Sequence, residues 1–168
     1  KNYNTNVNET VITNDFLFSS DQSYNKLGFV SNYDLLLKNL NSYSSNSTTF
    51  KENSNYNLFG AFKFDASLPL QKKMENFNHL LKPIFSLRYS PNKNSDLSEN
   101  DVLLNYNNVF SLNRIGTSDE VEGGESISLG LEFKRENTDG LSILDFNIAN
   151  VIRFNENEKL PIKSKLNK

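Results

Sequence analysis

The chain has 168 residues, a formal net charge of −2, no cysteine and a single histidine. The near-neutral charge argues against a nucleic-acid-binding protein, which needs clustered lysine and arginine to contact phosphates. The lack of cysteine excludes disulfides, thiolate metal ligands and a cysteine nucleophile within this sequence. There is no run of about 18 apolar residues, so the sequence predicts no transmembrane helix. It contains no catalytic motif.

Apolar and polar residues alternate through six segments, and this period of two predicts β-strands with one apolar face. Helical periodicity is absent. Pro83 is unfavourable within a central strand because proline cannot donate to the ladder, unless a local bulge accommodates it. The predicted strands are 11–20, 26–38, 57–70, 79–90, 126–135 and 141–154.

The connections between these strands alternate between short and long. They are 21–25, 39–56, 71–78, 91–125 and 137–140. Outer-membrane barrels have short periplasmic turns and longer external loops. The predicted strands are also long enough for a tilted bilayer crossing, which takes about 9 to 11 residues, whereas strands in globular proteins average about 5 or 6. Strand length and connection asymmetry therefore favour a membrane barrel over a soluble sandwich, which would segregate its charges equally well.

The predicted fold class is all-β, an antiparallel up-and-down transmembrane β-barrel segment with about six to eight strands of a larger barrel. A mean hydropathy of −0.58 is compatible with this class, because only every second strand residue faces lipid. Connection 91–125 contains Val109, Phe110 and Leu112, so we expect it to fold back on the sheet. The charged residues of the strands share the non-apolar face, and the lumen-facing candidates are Lys63, Asp65, Arg88, Glu132, Lys134, Asp145 and Arg153.

The second half of the chain carries a more specific pattern. The residues HLLKP at 79–83 precede LRYSP at 87–91, and NVFSLNRIG follows at 108–116. Asp119, Val121, Glu122 and Gly124 continue the pattern into SLGL at 128–131. With these residues the chain resembles the LptD family of LPS-assembly outer-membrane proteins, also called the organic-solvent-tolerance family. It departs from the family at Lys82, where members carry an acidic residue, and at Asp101-Val102, where Asp-Ser is common.

The resemblance implies a very large barrel in the outer membrane of a Gram-negative cell. Such a barrel receives lipopolysaccharide from a periplasmic bridge protein and releases it into the outer leaflet, with an LptE-type lipoprotein as a plug inside. Residues 1–168 would form part of one β-barrel domain, without the N-terminal jelly-roll domain that contacts the bridge and without the terminal barrel strands. The implied partners are lipopolysaccharide, the plug, the bridge protein and outer-membrane lipids. No enzymatic activity, cofactor, metal or nucleic acid is implied.

The motif segment offers two interpretations. In the first, it is an external loop that caps or folds into the barrel, and Arg114, Asp119 and Glu122 hold its shape by pairing. In the second, it is a solvated loop with incidental charges. We favour the first, because Phe110 and Leu112 must be buried. The motif residues are Phe110, Asn113, Arg114, Gly116, Asp119, Glu122 and Gly124.

Other interpretations remain open at this point. The lumen-facing charges could form a wall toward the plug or could simply hydrate a large lumen. The carboxylates of Asp119, Glu120, Glu122 and Glu125 could bind Ca²⁺ or act as a hydrolase pair, although neither calcium-loop spacing nor a pocket signature is present. His79 is expected to be an interfacial side chain. The alternative classes are a passive outer-membrane channel or receptor barrel and, further from the pattern, a soluble β-sandwich binding module.

Overall fold

A computed structural model describes residues 6–47 and 53–167, excluding the side chain of Asn53. The elements in these ranges are β1 (Asn8–Ser19), β2 (Ser23–Tyr24), β3 (Val30–Ser45), β4 (Asn53–Ser67), β5 (Leu70–Lys73), β6 (Phe77–Ser90), β7 (Gly124–Asn137), β8 (Ser142–Arg153) and a 3-10 turn (Ile162–Ser164). The strands form one antiparallel sheet in the order β1-β3-β4-β6-β7-β8, in which β2 pairs with β3 and β5 pairs with β6. No helix of the described part is long and apolar enough to cross a membrane.

The register gives the sheet two chemically different faces. Arg88 of β6 lies opposite Lys63 of β4 on one side and Ser126 of β7 on the other, and Ser126 lies opposite Arg153 of β8. Polar side chains from these four strands therefore share one face. We call this the inner face and the opposite side the outer face. The outer face carries exposed large apolar side chains, among them Phe16, Phe18, Leu37, Phe62, Leu129, Phe146, Ile148 and Ile152.

This arrangement is a barrel wall and not a sandwich. Phe62, Leu129 and Phe146 are 36%, 46% and 52% exposed, and no second sheet packs on them in the described part of the chain. A sandwich would bury these side chains against a facing sheet. The β-sandwich interpretation is therefore wrong, and the prediction of an antiparallel barrel segment is confirmed.

The predicted long connection 39–56 is mostly strand. β3 continues to Ser45 and β4 begins at Asn53, while residues 48–52 lie outside the described residues. In β3, Leu40, Ser42 and Ser44 are buried on the inner face, whereas Tyr43 is exposed on the outer face. Buried and exposed positions alternate here as in the rest of β3, but two of the buried positions are serines. A search for alternating apolar residues therefore does not find this part of the strand.

The short connections contain additional pairing. β2 lies within the predicted turn 21–25, β5 lies within 71–78, and β3 begins at Val30 and not at residue 26. The side-chain oxygen of Asn25 accepts hydrogen bonds from the backbone N–H groups of Leu27 and Phe29. This local turn replaces the first four residues of the predicted strand.

Pro83 lies in the middle of β6, where the neighbouring strand is interrupted. β4 ends its pairing with β6 at Ser67, β5 begins at Leu70, and the Leu68 N–H donates to the Pro83 carbonyl at 3.1 Å. The missing proline donor therefore falls at an irregularity of the ladder, as Pro83 requires.

Residues 91–123 fold back over the inner face, as the apolar content of this segment predicts. We call them the inner loop, and we call residues 154–167, which follow β8, the inner tail. Val121 of the loop is fully buried against sheet residues, and Leu112 packs beside it. The sheet residues of this cluster are Leu36, Leu40, Phe59 and Ala61.

The inner tail packs against the inner loop. The Leu97 N–H donates to the Lys159 carbonyl at 2.8 Å, and the Ile162 N–H donates to the Ser98 carbonyl at 3.1 Å. These bonds accompany a second apolar cluster, formed by Leu97, Ile115, Leu160 and Leu166 with Val151 of β8 beside it. Loop and tail together form an inner layer with a core of its own.

Candidate functional site

Glu122, at the end of the inner loop, lies at the centre of a buried charge cluster. Its side chain is fully buried, and its carboxylate accepts hydrogen bonds from Arg114 Nε at 2.8 Å and Arg114 Nη2 at 2.5 Å. Arg153 Nη1 of β8 donates to the same carboxylate at 2.6 Å, and Arg88 Nη1 of β6 lies 3.7 Å from it. One carboxylate thus joins the loop to two strands.

Serines of β7 complete the cluster beneath Arg114. Arg114 Nη2 donates to Ser126 Oγ at 2.8 Å, and Ser128 Oγ donates to the Val109 carbonyl at 3.2 Å. Both serines point to the inner face because they are two residues apart in a strand. Their small side chains leave room for a guanidinium group between the sheet and the loop.

Cations of the sheet bind the backbone of the inner loop along its length. Lys63 Nζ donates to the Phe110 carbonyl at 3.0 Å, and Arg88 Nε donates to the Leu112 carbonyl at 2.6 Å. Lys38 Nζ donates to the Ser118 carbonyl at 2.9 Å, and Arg153 Nη2 donates to the Gly123 carbonyl at 2.8 Å. A covered loop must pair its carbonyl groups, and here the strand cations do so.

Asparagines fix the shape of the loop itself. Asn113 Oδ1 accepts from the Glu122 N–H at 3.1 Å, and Asn94 Oδ1 accepts from the Gly123 N–H at 2.8 Å. Asn92 caps the ladder at Gly60, whose N–H and carbonyl both bond to its side-chain amide at 3.0 Å. The Asn-rich composition thus supplies amide groups that pair backbone where no strand continues.

Phe110 rests on a glycine of β7. A Cβ atom added at Gly130 would lie 2.4 Å from Phe110 Cζ, which is closer than any side chain can approach. Nearby, the Tyr106 hydroxyl donates to Glu132 Oε1 at 2.7 Å. Burial raises the pKa of Tyr106 and the Glu132 carboxylate raises it further, so the phenol stays protonated and remains a donor.

The electrostatics of the cluster favour an ionised Glu122. Burial alone raises the pKa of this carboxyl, but the Arg114 hydrogen bonds and the charges of Arg88, Arg114 and Arg153 outweigh burial and lower it below 4.5. Three guanidinium groups surround one carboxylate, and Arg88 and Arg153 also donate to loop carbonyls. Glu122 therefore holds the loop as an anion between cations.

The structure places the predicted site residues in distinct groups. Arg88, Arg114, Glu122 and Arg153 come together, and Gly124 lies under Arg153 with a φ of 98° and no room for a Cβ atom. Asp119 is the exception, because it forms no ion pair with any described residue. The prediction that Asp119 pairs within the loop is therefore wrong. Gly116, with a φ of 67°, forms an exposed turn.

The remaining lumen candidates lie on the inner face outside the cluster. Lys63 pairs with Asp34 at 3.0 Å and Asp65 at 2.8 Å. Lys134 pairs with Glu136, and Asp145, opposite Lys134 in the register, is exposed.

The carboxylates considered for Ca²⁺ do not converge in the structure. Glu122 is bound by arginines, while Glu120 accepts from the Asn94 side-chain amide and the Ser95 backbone. Within the described ranges no three acidic, histidine or cysteine side chains form a group that could hold a metal ion. His79 lies on the outer face, edge-on to the Phe133 ring with 5.8 Å between the ring centroids.

An up-and-down sheet with an apolar outer face, a charged inner face and a loop folded over that inner face is a wall segment of an outer-membrane β-barrel. The family model "LPS transport system D", LptD, matches residues 9–168, and the chain belongs to this family. A comparison with curated proteins gives no match. Membership places the protein in the outer membrane of Gram-negative bacteria and in the transport of lipopolysaccharide.

Proposed function

We propose that this chain forms part of the wall of the translocon that inserts lipopolysaccharide into the outer leaflet, as part of one β-barrel domain. The observation that carries the proposal is the inner layer. Loop and tail cover the charged inner face through the Glu122 cluster, so this part of the wall is closed by its own chain. A layer of this kind narrows the lumen, and a translocon needs such closure because it must pass one large substrate without leaking small ones.

The partners follow from the same proposal. Lipopolysaccharide is the substrate, a periplasmic bridge protein delivers it, and an LptE-type lipoprotein fills the lumen. On the inner face, Glu132 is 35% exposed and Asp145 is exposed, so both are accessible to a plug. Arg88 and Ser126 are covered by the inner layer and are not accessible.

Depletion of the complete protein from its native cell tests the transport role. We expect newly made lipopolysaccharide to stop reaching the cell surface within a few generations and to accumulate on the periplasmic side. Re-expression of the complete protein should restore surface delivery. Unchanged surface delivery after depletion would overturn the proposal and favour a passive channel.

A photocrosslinking residue at Asp145 tests the contact with the plug in intact cells. We expect it to capture the plug lipoprotein, because Asp145 lies on the uncovered part of the inner face. The matched control is the same crosslinker at Ser126, which the inner layer covers. If neither position captures the plug, the charges of the inner face only hydrate the lumen.

A further inference from the structure

A cavity of about 270 Å³ lies on the inner face directly beneath Phe110 of the inner loop. Its walls come from the beginning of β3, the end of β4, and the facing parts of β6 and β7. It therefore lies toward the end of the sheet where the connections are short. Phe110, which contacts Gly130 and accepts from Lys63 through its carbonyl, bounds the cavity on the side of the inner loop.

The polar groups of this cavity have unused hydrogen-bonding capacity. The side chains of Asn32 and Ser67 make no hydrogen bond to any other residue in the described part of the chain. Asp65 Oδ1 also has no hydrogen-bond partner there, although Asp65 Oδ2 pairs with Lys63. Lys82 pairs with Glu132 at 3.3 Å, which is a longer contact than those of the other inner-face lysines that pair with carboxylates.

The charges of the cavity select against an anion. Among the residues that the structure describes, Asp65 and Glu132 line it with Lys82 as the single lining cation. Lys63 lies next to Asp65 but also pairs with Asp34, so counting Lys63 and Asp34 together leaves the net charge around the cavity unchanged. A phosphate group would therefore be repelled. An uncharged ligand with several hydroxyl groups can donate to the carboxylates and accept from the Asn32 amide and Lys82.

The apolar lining completes the match to a sugar. Val30, Ile84 and Phe110 line the cavity beside the polar groups. A mixture of a few fixed polar groups with apolar and aromatic walls is typical of small-molecule sites. A sugar ring presents hydroxyl groups at its edge and C–H groups on its faces, so it can use both kinds of lining.

We propose that this cavity binds an uncharged sugar unit of the saccharide part of lipopolysaccharide as the substrate passes the barrel wall. The inference rests on the proposed translocon function and adds a substrate contact to it. The Tyr106 to Glu132 hydrogen bond fixes one carboxylate of the site from the inner loop, so the same loop that closes the wall also shapes the cavity.

The experiment places a photocrosslinking residue at Ile84 in the complete protein, in cells that are transporting lipopolysaccharide. We expect capture of lipopolysaccharide at Ile84. Asn32→Leu combined with Ser67→Ala should lower the yield at least about threefold, because both remove hydrogen bonds to the ligand. The matched control is Asn147→Leu, an inner-face asparagine opposite Glu132 that lines another cavity and should leave the yield unchanged.

Two further arms identify the ligand. In a host whose lipopolysaccharide is truncated to its innermost sugars, capture at Ile84 should fall by a similar factor. Capture of a free periplasmic oligosaccharide in place of lipopolysaccharide would show that the cavity binds sugar but not the transported substrate, and would overturn the proposal. Undiminished capture of truncated lipopolysaccharide would show a contact with its lipid part and would also overturn it.

Failure of this inference is distinguishable from failure of the proposed function. Normal surface delivery without capture at Ile84, or equal yields in the Asn32 and Asn147 variants, would remove the sugar site and leave the translocon role intact. Normal surface delivery after depletion of the protein would remove the translocon role itself.

Discussion

Glu122→Gln is the sharpest test of the inner layer. The change keeps the size of the side chain but removes the one carboxylate that faces Arg88, Arg114 and Arg153, and it turns an acceptor into an amide donor among donors. Glu122 is fully buried, so water cannot replace the lost charge. Breaking a buried ion pair from one side costs about 3 to 5 kcal/mol. If opening of the inner loop carries this whole cost, its opening equilibrium constant rises by about two to four orders of magnitude.

Limited proteolysis of the complete protein in detergent measures this opening, because cleavage needs several residues of free backbone and strand cations hold the inner-loop carbonyls. We expect rapid cleavage within residues 91–123 of Glu122→Gln, while the heat-dependent gel mobility of the folded barrel is retained. Arg114→Ala should act in the same direction, since it removes two bonds to the same carboxylate. Asp119→Asn is the matched control, because Asp119 has no ion pair with a described residue. Wild-type cleavage rates in Glu122→Gln would refute the reasoning.

Three further predictions concern the same layer and the wall behind it. The pKa of Glu122 in the folded protein lies below its ordinary value of 4.5, so its carboxylate stabilises the loop above pH 4.5 and this stabilisation is lost as the pH falls through the folded pKa. Hydrogen exchange of the loop should therefore accelerate as the pH falls through the folded pKa, and this acceleration should be absent in Glu122→Gln. Gly130→Ala should displace Phe110 and cost about 1 to 3 kcal/mol in urea unfolding, and a second change, Phe110→Leu, should recover part of it. Phe62→Lys should destabilise the barrel by about 2 to 4 kcal/mol in folding into liposomes if the outer face meets lipid at mid-bilayer, whereas Ser118→Lys, at an exposed position of the inner loop, should have little effect.

The faces of the strands could be predicted from the sequence because the alternation of apolar and charged residues is a local property. Phe62 is exposed on the outer face and Lys63 is buried on the inner face, as the alternation of apolar and charged residues around them predicts. The extensions of β3 and β4 could not be predicted in this way. Ser42 and Ser44 are buried on the inner face, although the sequence around them has the composition of a polar loop.

The motif segment shows the same limit at the site. Its apolar residues predicted a loop that folds back, and Arg114 and Glu122 are close enough in sequence to predict a pair. The approach of Arg88 and Arg153 to Glu122 is a contact between residues far apart in the chain, and only the sheet register brings it about. Asp119 had the same local signal as Glu122. Asp119 nevertheless forms no ion pair with a described residue.

The inner face is divided into a covered half and an uncovered half. Toward the long connections, Lys38, Lys63, Arg88 and Arg153 donate to inner-loop carbonyls, so these cations are not available to a substrate or a plug. Toward the short connections, the Lys82 to Glu132 and Lys134 to Glu136 pairs remain partly exposed on uncovered strands. If the short connections are periplasmic, as in outer-membrane barrels generally, a substrate that enters from the periplasm meets the open polar wall first and the closed layer second. The charge distribution of the wall therefore favours contact with the substrate below the inner loop, where Phe110 covers the cavity.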